Sequence, residues 1–274
     1  TMPELPEVEV TKKALQSALK NTSIKEVNIR NKNLRWPVEE KKIRKLIYTD
    51  IRKIYRRGKY ILISCNEGAA ILHLGMSGSL GVFDERTEYH KHDHVEFILE
   101  NNKAIRLNDP RRFGCLIWTN ECPEEHKLIK NLGVEPLDDP KLGEHLYSLS
   151  RNRNTAVKNY IMNSSVVVGV GNIYASESLF RSGINPVRSS KRIGRERYRK
   201  LAVEIKKVLN EAIEMGGTTL RNFTYYNEVR KVGYFKQKLF VYGKPGENCK
   251  ECGTEIKARV IGGRNSFFCA RCQT

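Results

Sequence analysis

Proline beside a chain start can do chemistry that no internal residue can, and Pro3-Glu4 stands at the head of this 274-residue chain. When Pro3 is the first residue, its ring nitrogen is a free secondary amine. An α-amino group titrates near ~7.7–8.0, so part of the population is unprotonated and nucleophilic at neutral pH. Attack on an electrophilic carbon such as a sugar C1′ gives an iminium ion, the strategy lysine uses in Schiff-base enzymes. Glu4 is placed to shuttle the proton. With Thr1 and Met2 attached, that nitrogen is a non-basic amide and the chemistry is blocked. The same Pro-Glu-Leu-Pro-Glu run also suits the opening of a helix, where proline and acidic residues are favoured.

Four of the seven cysteines form a second constellation. Cys249-Lys-Glu-Cys252 and Cys269-Ala-Arg-Cys272 are two CxxC pairs with sixteen residues between them. Two such knuckles place four thiolates around one tetrahedral zinc, and a closed set of four leaves no position for water, so the metal is structural. A redox dithiol needs only one pair. A tail this short lacks the apolar area to fold alone, and zinc supplies that stability. Between the pairs, Gly262-Gly263-Arg264 puts an arginine at a hairpin tip, either solvated or reaching a phosphate. Cys65, Cys115 and Cys122 read as single core or surface thiols.

Other short motifs are ambiguous alone. Gly169-Val-Gly171-Asn172 lacks the third glycine and the later acid of a dinucleotide site. It reads instead as a turn into a helix whose N-terminal amides, with Asn172 and Lys158, can grip a phosphate. His73-Leu-Gly-Met76 and Asp109-Pro-Arg111-Arg112-Phe113 are loops whose apolar or planar tips could enter a duplex, although Met76 and Phe113 would also serve as core residues. His92 is open to metal, core or phosphate roles, and Lys59 to a solvated one.

The elements that must position these groups follow from composition and period. Lys and Arg number 49 against 31 Asp and Glu, a net charge of +18, and +12 of it falls between residues 151 and 238. That distribution points to a polyanionic partner gripped mainly by the middle of the chain. There is no apolar run of membrane length. Glu4, Glu7, Glu9, Lys12 and Lys13 occupy the place of a signal sequence's apolar region, so the expected location is cytoplasmic. An amphipathic helix is expected from Pro3 to Lys20. Short strands are expected at Ile24–Ile29, Tyr60–Cys65, 69–74, 95–99, 104–107 and 115–118. Helices should then cover 153–162, Asn172–Ser182, 194–215 and 218–223, with 225–236 as a mobile loop. The fold class is α+β: an N-terminal antiparallel β-sandwich with its helix (1–134), a linker (135–150), a helical domain (151–238) and a C-terminal zinc β-ribbon (239–274).

Taken together, Pro3-Glu-Leu-Pro-Glu-Val-Glu9, His73-Leu-Gly-Met-Ser-Gly78, Asp109-Pro-Arg-Arg-Phe-Gly114, Val168-Gly-Val-Gly-Asn-Ile-Tyr174 and the four-cysteine tail resemble the bacterial formamidopyrimidine-DNA glycosylases, in order from Pro3 to Gln273. The opening resembles this branch rather than endonuclease VIII, which prefers oxidised pyrimidines. The resemblance implies a bifunctional glycosylase and AP lyase for oxidised purines, acting as a monomer on damaged double-stranded DNA with one structural zinc. It implies that Pro3 is the Schiff-base nucleophile, Glu4 the acid/base, Lys59 a proton-transfer group in β-elimination and Arg264 the hairpin arginine of δ-elimination. His92, Arg111 and Arg153 match DNA-contacting positions. Met76, Arg111 and Phe113 match the trio that fills the void left by a flipped nucleotide. Lys158 and Asn172 match phosphate grips of a helix–two-turn–helix domain, and 225–236 matches the loop over the everted purine. Ser266 and Phe268 depart from the family's common Thr and Tyr. A non-catalytic damage-binding protein on the same scaffold is the alternative that the free amine of Pro3 separates.

Overall fold

The computed structural model describes residues 2–216 and 238–274. Residues 2–130 build one compact unit, and residues 131–214 with 238–274 build another.

The first unit opens with α1 (Leu5–Ala18), shorter at both ends than its apolar period suggested. Glu4 is its N-cap. The Glu4 N–H donates to the Glu7 carboxylate at 3.0 Å, half of a capping box, and Pro6 sits in the first turn. After β1 (Ile24–Ile29) and a short helix α2 (Glu40–Ile43) come β2 (Ile51–Arg57), β3 (Tyr60–Cys65), β4 (Gly68–His73), β5 (Ser79–Asp84), β6 (Asp93–Leu99), β7 (Lys103–Asn108) and β8 (Cys115–Thr119). They form two antiparallel four-stranded sheets, ordered β1-β6-β7-β5 and β2-β3-β4-β8. Alternate residues of facing strands (Ile61 and Ile63, Ala70 and Leu72, Val95 and Phe97, Ile105 and Leu107, Leu116 and Trp118) enter one core, which Val8 and Leu15 of α1 join. This is the expected sandwich with its helix. Strands β2 and β5 went unseen in the sequence. The Arg-Lys-rich face of β2 and the glycine in Ser79-Leu-Gly-Val obscure their alternation.

In the second unit, α3 (Leu142–Ser150), α4 (Val157–Met162), α5 (Asn172–Ser182) and α6 (Arg195–Glu214) pack their apolar stripes together. On α6 the buried set is Tyr198, Leu201, Ala202, Ile205, Val208, Leu209 and Ala212, spaced by three and four. Helix α3 lies within 135–150, the stretch expected as a linker. Leu142 and Leu146, one turn apart and both buried, are what make it a packed helix. Residues 153–156, expected as helix, instead run beside 188–191. The Val157 N–H bonds the Arg188 carbonyl and the Ser190 N–H bonds the Thr155 carbonyl. The C-terminal ribbon is β9 (Lys257–Ile261) paired with β10 (Arg264–Phe268). The helix expected at 218–223 and the loop at 225–236 lie outside the described residues.

Candidate functional site

In the first unit, an open cleft of ≈ 690 Å³ is lined by Met2, Arg35, His73, Met76, Arg111 and Phe113, among others. Three of the expected residues are thus brought together, beside the residue that precedes Pro3. Met76 is 37% and Phe113 46% exposed, so neither is a core residue. The Arg111 guanidinium lies 4.8 Å from the centre of the Phe113 ring.

One fully buried carboxylate, Asp109, ties the two loops into a single body. The Ser77 hydroxyl donates to it at 2.6 Å and the Gly114 N–H at 2.8 Å, while the Arg111 N–H donates back to the Ser77 hydroxyl at 3.0 Å. Between them, Arg112 adopts φ 57°, a left-handed conformation that costs a non-glycine residue about 1–2 kcal/mol. The Asp109 staple holds it there, and Arg111 and Phe113 are displayed on either side.

His92 is half-buried, and its carbonyl accepts the Asp109 N–H at 3.1 Å. The loop that carries it rests on Arg106, which is fully buried and bonded to Glu96 at 2.7 Å and to the carbonyls of Glu88 and Thr87 at 2.9 and 2.7 Å. Among the described residues, the only group with metal-ligand geometry is the four cysteines, so the metal role considered for His92 has no support.

Lys59 lies on the two-residue turn between β2 and β3, where Gly58 supplies φ 58°. Arg56 fixes this turn to α1, donating to Glu9 at 2.8 Å and to the Gly58 carbonyl at 2.9 Å. Burial raises the Glu9 carboxyl, but the Lys12 and Arg56 hydrogen bonds outweigh it, and the net shift is downward. The Lys59 charge reaches the cleft. His73 is driven down to about 4, first by burial and then by Lys59 and Arg35. Its neutral ring accepts the Gly75 N–H on Nδ1 at 2.9 Å. Neither His73 nor Arg35 stands out from the sequence alone as a functional residue. His73 lay inside a motif already quoted, and Arg35 stacks at 4.7 Å over its neighbour Trp36, an Arg-Trp pair that was a usable signal.

In the second unit, the fully buried Lys158 sends its ammonium to the Asn172 side-chain oxygen. The Asn172 amide continues to the Asn265 carbonyl at 2.9 Å. Asn172 begins α5, so the expected helix N-terminus, lysine and zinc hairpin converge on one point. Arg153 is half-buried beside the Tyr160 ring, 5.7 Å from its centre. Arg264 is exposed at the ribbon's tip, where Gly262 and Gly263 take φ 57° and 73° as a tight turn demands.

The sulfur atoms of Cys249, Cys252, Cys269 and Cys272 lie within 4.8 Å of one another, with Cys249–Cys272 at 3.9 Å and Cys252–Cys269 at 3.5 Å. A tetrahedral zinc with bonds of about 2.3 Å needs sulfurs about 3.8 Å apart, so the four thiolates fit one zinc. Zinc supplies structure here. The segment leading into this module is held by Glu177 of α5, a buried carboxylate accepting the N–H groups of Phe240, Val241 and Tyr242 at 2.8–2.9 Å. Burial pushes the Glu177 carboxyl up, and those donors partly oppose it.

The comparisons with known proteins agree with this architecture. Family models match residues 2–116 as a formamidopyrimidine-DNA glycosylase N-terminal domain, 132–224 as its H2TH domain and 246–274 as a zinc finger found in FPG and IleRS. The formamidopyrimidine-DNA glycosylases of Magnetococcus marinus and Xanthomonas campestris are each 49% identical to it, covering 99% of this chain and 99% and 100% of theirs. Among solved structures, a complex of Lactococcus lactis Fpg with DNA containing an abasic site has a TM-score of 0.89 at 28% identity, covering 99% of both chains. The MutM (Fpg) protein of Thermus thermophilus has a TM-score of 0.85 at 30% identity, covering 99% of this chain and 98% of its own. The chain belongs to the formamidopyrimidine-DNA glycosylase family. No helix among the described residues is long and apolar enough to cross a membrane.

Proposed function

We propose that this chain is a cytoplasmic, monomeric DNA glycosylase and AP lyase of base excision repair that removes 8-oxoguanine and formamidopyrimidines. The observation that carries the site assignment is that Met2, bonded to Pro3, lines the same cleft as Met76, Arg111 and Phe113. In this reading the Pro3 nitrogen, once Met2 is removed, faces the cleft that Met76, Arg111 and Phe113 line. The Pro3 amine attacks C1′ and the C1′–base bond breaks. With Glu4 managing the proton, the C1′–O4′ bond then opens as the Pro3 nitrogen lone pair forms the iminium, O4′ leaving as a hydroxyl, and that iminium drives β- and then δ-elimination with Lys59 and Arg264. Met76, Arg111 and Phe113 fill the vacated stack. His92, Arg153, Lys158 and Asn172 hold phosphates. Functional boundaries at 1–134, 151–238 and 239–274, joined through 135–150, complete the proposal.

Borohydride reduction tests it, because an iminium is reducible to a stable amine. Protein beginning at Pro3 is expected to be trapped covalently on an 8-oxoguanine duplex. Protein retaining Thr1 and Met2 is expected to bind without trapping. Tight lesion binding by the Pro3-initiated protein with no adduct would make the chain a non-catalytic damage binder.

A further inference from the structure

The second unit carries a cluster of cations that the proposed site does not use. Arg188, Lys191 and Arg192 are all exposed, and among the described residues none of their side chains makes a hydrogen bond or ion pair. Other arginines of the same unit differ. Arg181 is paired with Glu211, and Arg195 and Arg199 with Glu144. Arg197 is bonded to the carbonyls of Gly183 and Thr274.

The backbone that bears the three free cations is nonetheless firmly held. The Val157 N–H bonds the Arg188 carbonyl at 2.8 Å, and the Lys191 N–H bonds the Arg153 carbonyl at 3.0 Å. Ser190, fully buried, adds its hydroxyl to the Arg153 and Thr155 carbonyls at 2.9 and 3.0 Å. Arg151 bonds the Ile193 carbonyl at 2.7 Å, and the Tyr198 hydroxyl bonds that of Ser190 at 2.8 Å. Like charges on a fixed backbone with no acid among them repel. The Arg197 guanidinium, partly buried, is pulled below its ordinary range by that burial and then by Arg188 nearby. Such an arrangement is stabilised by an anion with several charges at regular spacing.

We propose that Arg188, Lys191 and Arg192 form an accessory DNA-backbone surface, continuous with Arg153 through the paired segments 153–157 and 188–191, which binds phosphates of duplex flanking the lesion. It rests on the reading of the chain as a DNA glycosylase and extends its footprint beyond the residues assigned there. Being blind to base identity, the surface sets affinity for undamaged DNA rather than choice of lesion.

The test is the salt dependence of binding by the full-length, zinc-loaded protein to a lesion-free duplex, followed by fluorescence anisotropy. Each phosphate neutralised contributes about 0.9 to the slope of log K against log salt. Changing Arg188→Gln, Lys191→Gln and Arg192→Gln together is expected to make the slope shallower by about 2.7. The single-turnover excision rate at saturating protein and the melting temperature should not change. The same loss of three charges at exposed Lys41, Arg52 and Lys127 is expected to leave the slope near its original value. An unchanged slope in the first triple variant, or an equal change in the second, would overturn the proposal. Borohydride trapping by the unaltered protein reads the catalytic assignment separately, so either idea can fall alone.

Discussion

Lys158 and Asn172 are joined head to head: the buried ammonium donates to the Asn172 oxygen, and the Asn172 amide passes the contact on to Asn265 in the zinc hairpin. Two candidate phosphate grips therefore act as one group. Lys158→Ala and Asn172→Ala are expected to be non-additive in DNA affinity, the double variant losing less than the two single losses combined, with a coupling of about 1–2 kcal/mol. A double-mutant cycle measures it, and strict additivity would dissolve the pair into independent contacts.

Zinc removal should be felt by all DNA, damaged or not. Cys269→Ser removes a ligand, and chelation the metal, from a module whose small cluster of Phe180, Val241, Ile256 and Phe267 includes two of the zinc cysteines. Binding to lesion and control duplexes is expected to weaken in parallel, with loss of near-ultraviolet dichroism from the tail. Unchanged affinity after verified zinc loss would contradict a role for Arg264 at the DNA.

Glu177→Gln tests how that module is anchored. The amide oxygen cannot accept all three N–H groups now shared between two carboxylate oxygens, and its NH2 faces donors. A loss of about 2–4 kcal/mol is expected, read as faster zinc release to a chelator and a lower melting temperature. Wild-type zinc retention would show that the anchor lies elsewhere.

Phe113→Ala is expected to slow excision from duplex DNA while affecting cleavage of a preformed abasic site much less, because there the base is already gone. Extrusion costs a few kcal/mol, part of which a wedge offsets by refilling the stack. The salt slope should stay constant, since no phosphate contact is removed. Equal slowing on both substrates would remove the wedge role.

His73 gives the pH dependence a sign. Its ordinary value of 6.5 falls to about 4 in the fold. Between those values the unfolded chain binds the extra proton and the folded one does not. Its contribution is therefore fully present above pH 6.5 and lost as pH falls toward 4, up to about 3 kcal/mol. His73→Gln should flatten the melting temperature's dependence on pH across that window. A variant as acid-sensitive as the parent would place the titration elsewhere.

The zinc ligands and the start of α5 were more legible than much of the scaffolding. Four cysteines at fixed spacing, and Asn172 at the start of α5, could be read directly because each depends on local order. Strands with an unbroken apolar run, such as Ile61–Ile63, were visible, whereas β2 was not, since its register is set by β3 across the sheet. Helix α3 was hidden by the Asp- and Pro-rich stretch before it. The position of Arg153 outside a helix depends on Ser190, 37 residues away. The Asp109–Ser77 bond, spanning 32 residues, is tertiary and has no trace in the periodicity.

That last bond has a kinetic consequence. A protein searching a genome tests vastly more sound base pairs than damaged ones, and each test repeats whatever ordering the protein must undergo. Because Asp109 already fastens the Met76 loop to the Phe113 loop, a tip that probes DNA as proposed would arrive assembled and lose little conformational entropy at each trial. On the proposed wedge role, the time spent at an undamaged pair would then be governed by how readily the DNA opens, and a lesion would be distinguished by the yielding of the helix rather than by a rearrangement of these loops.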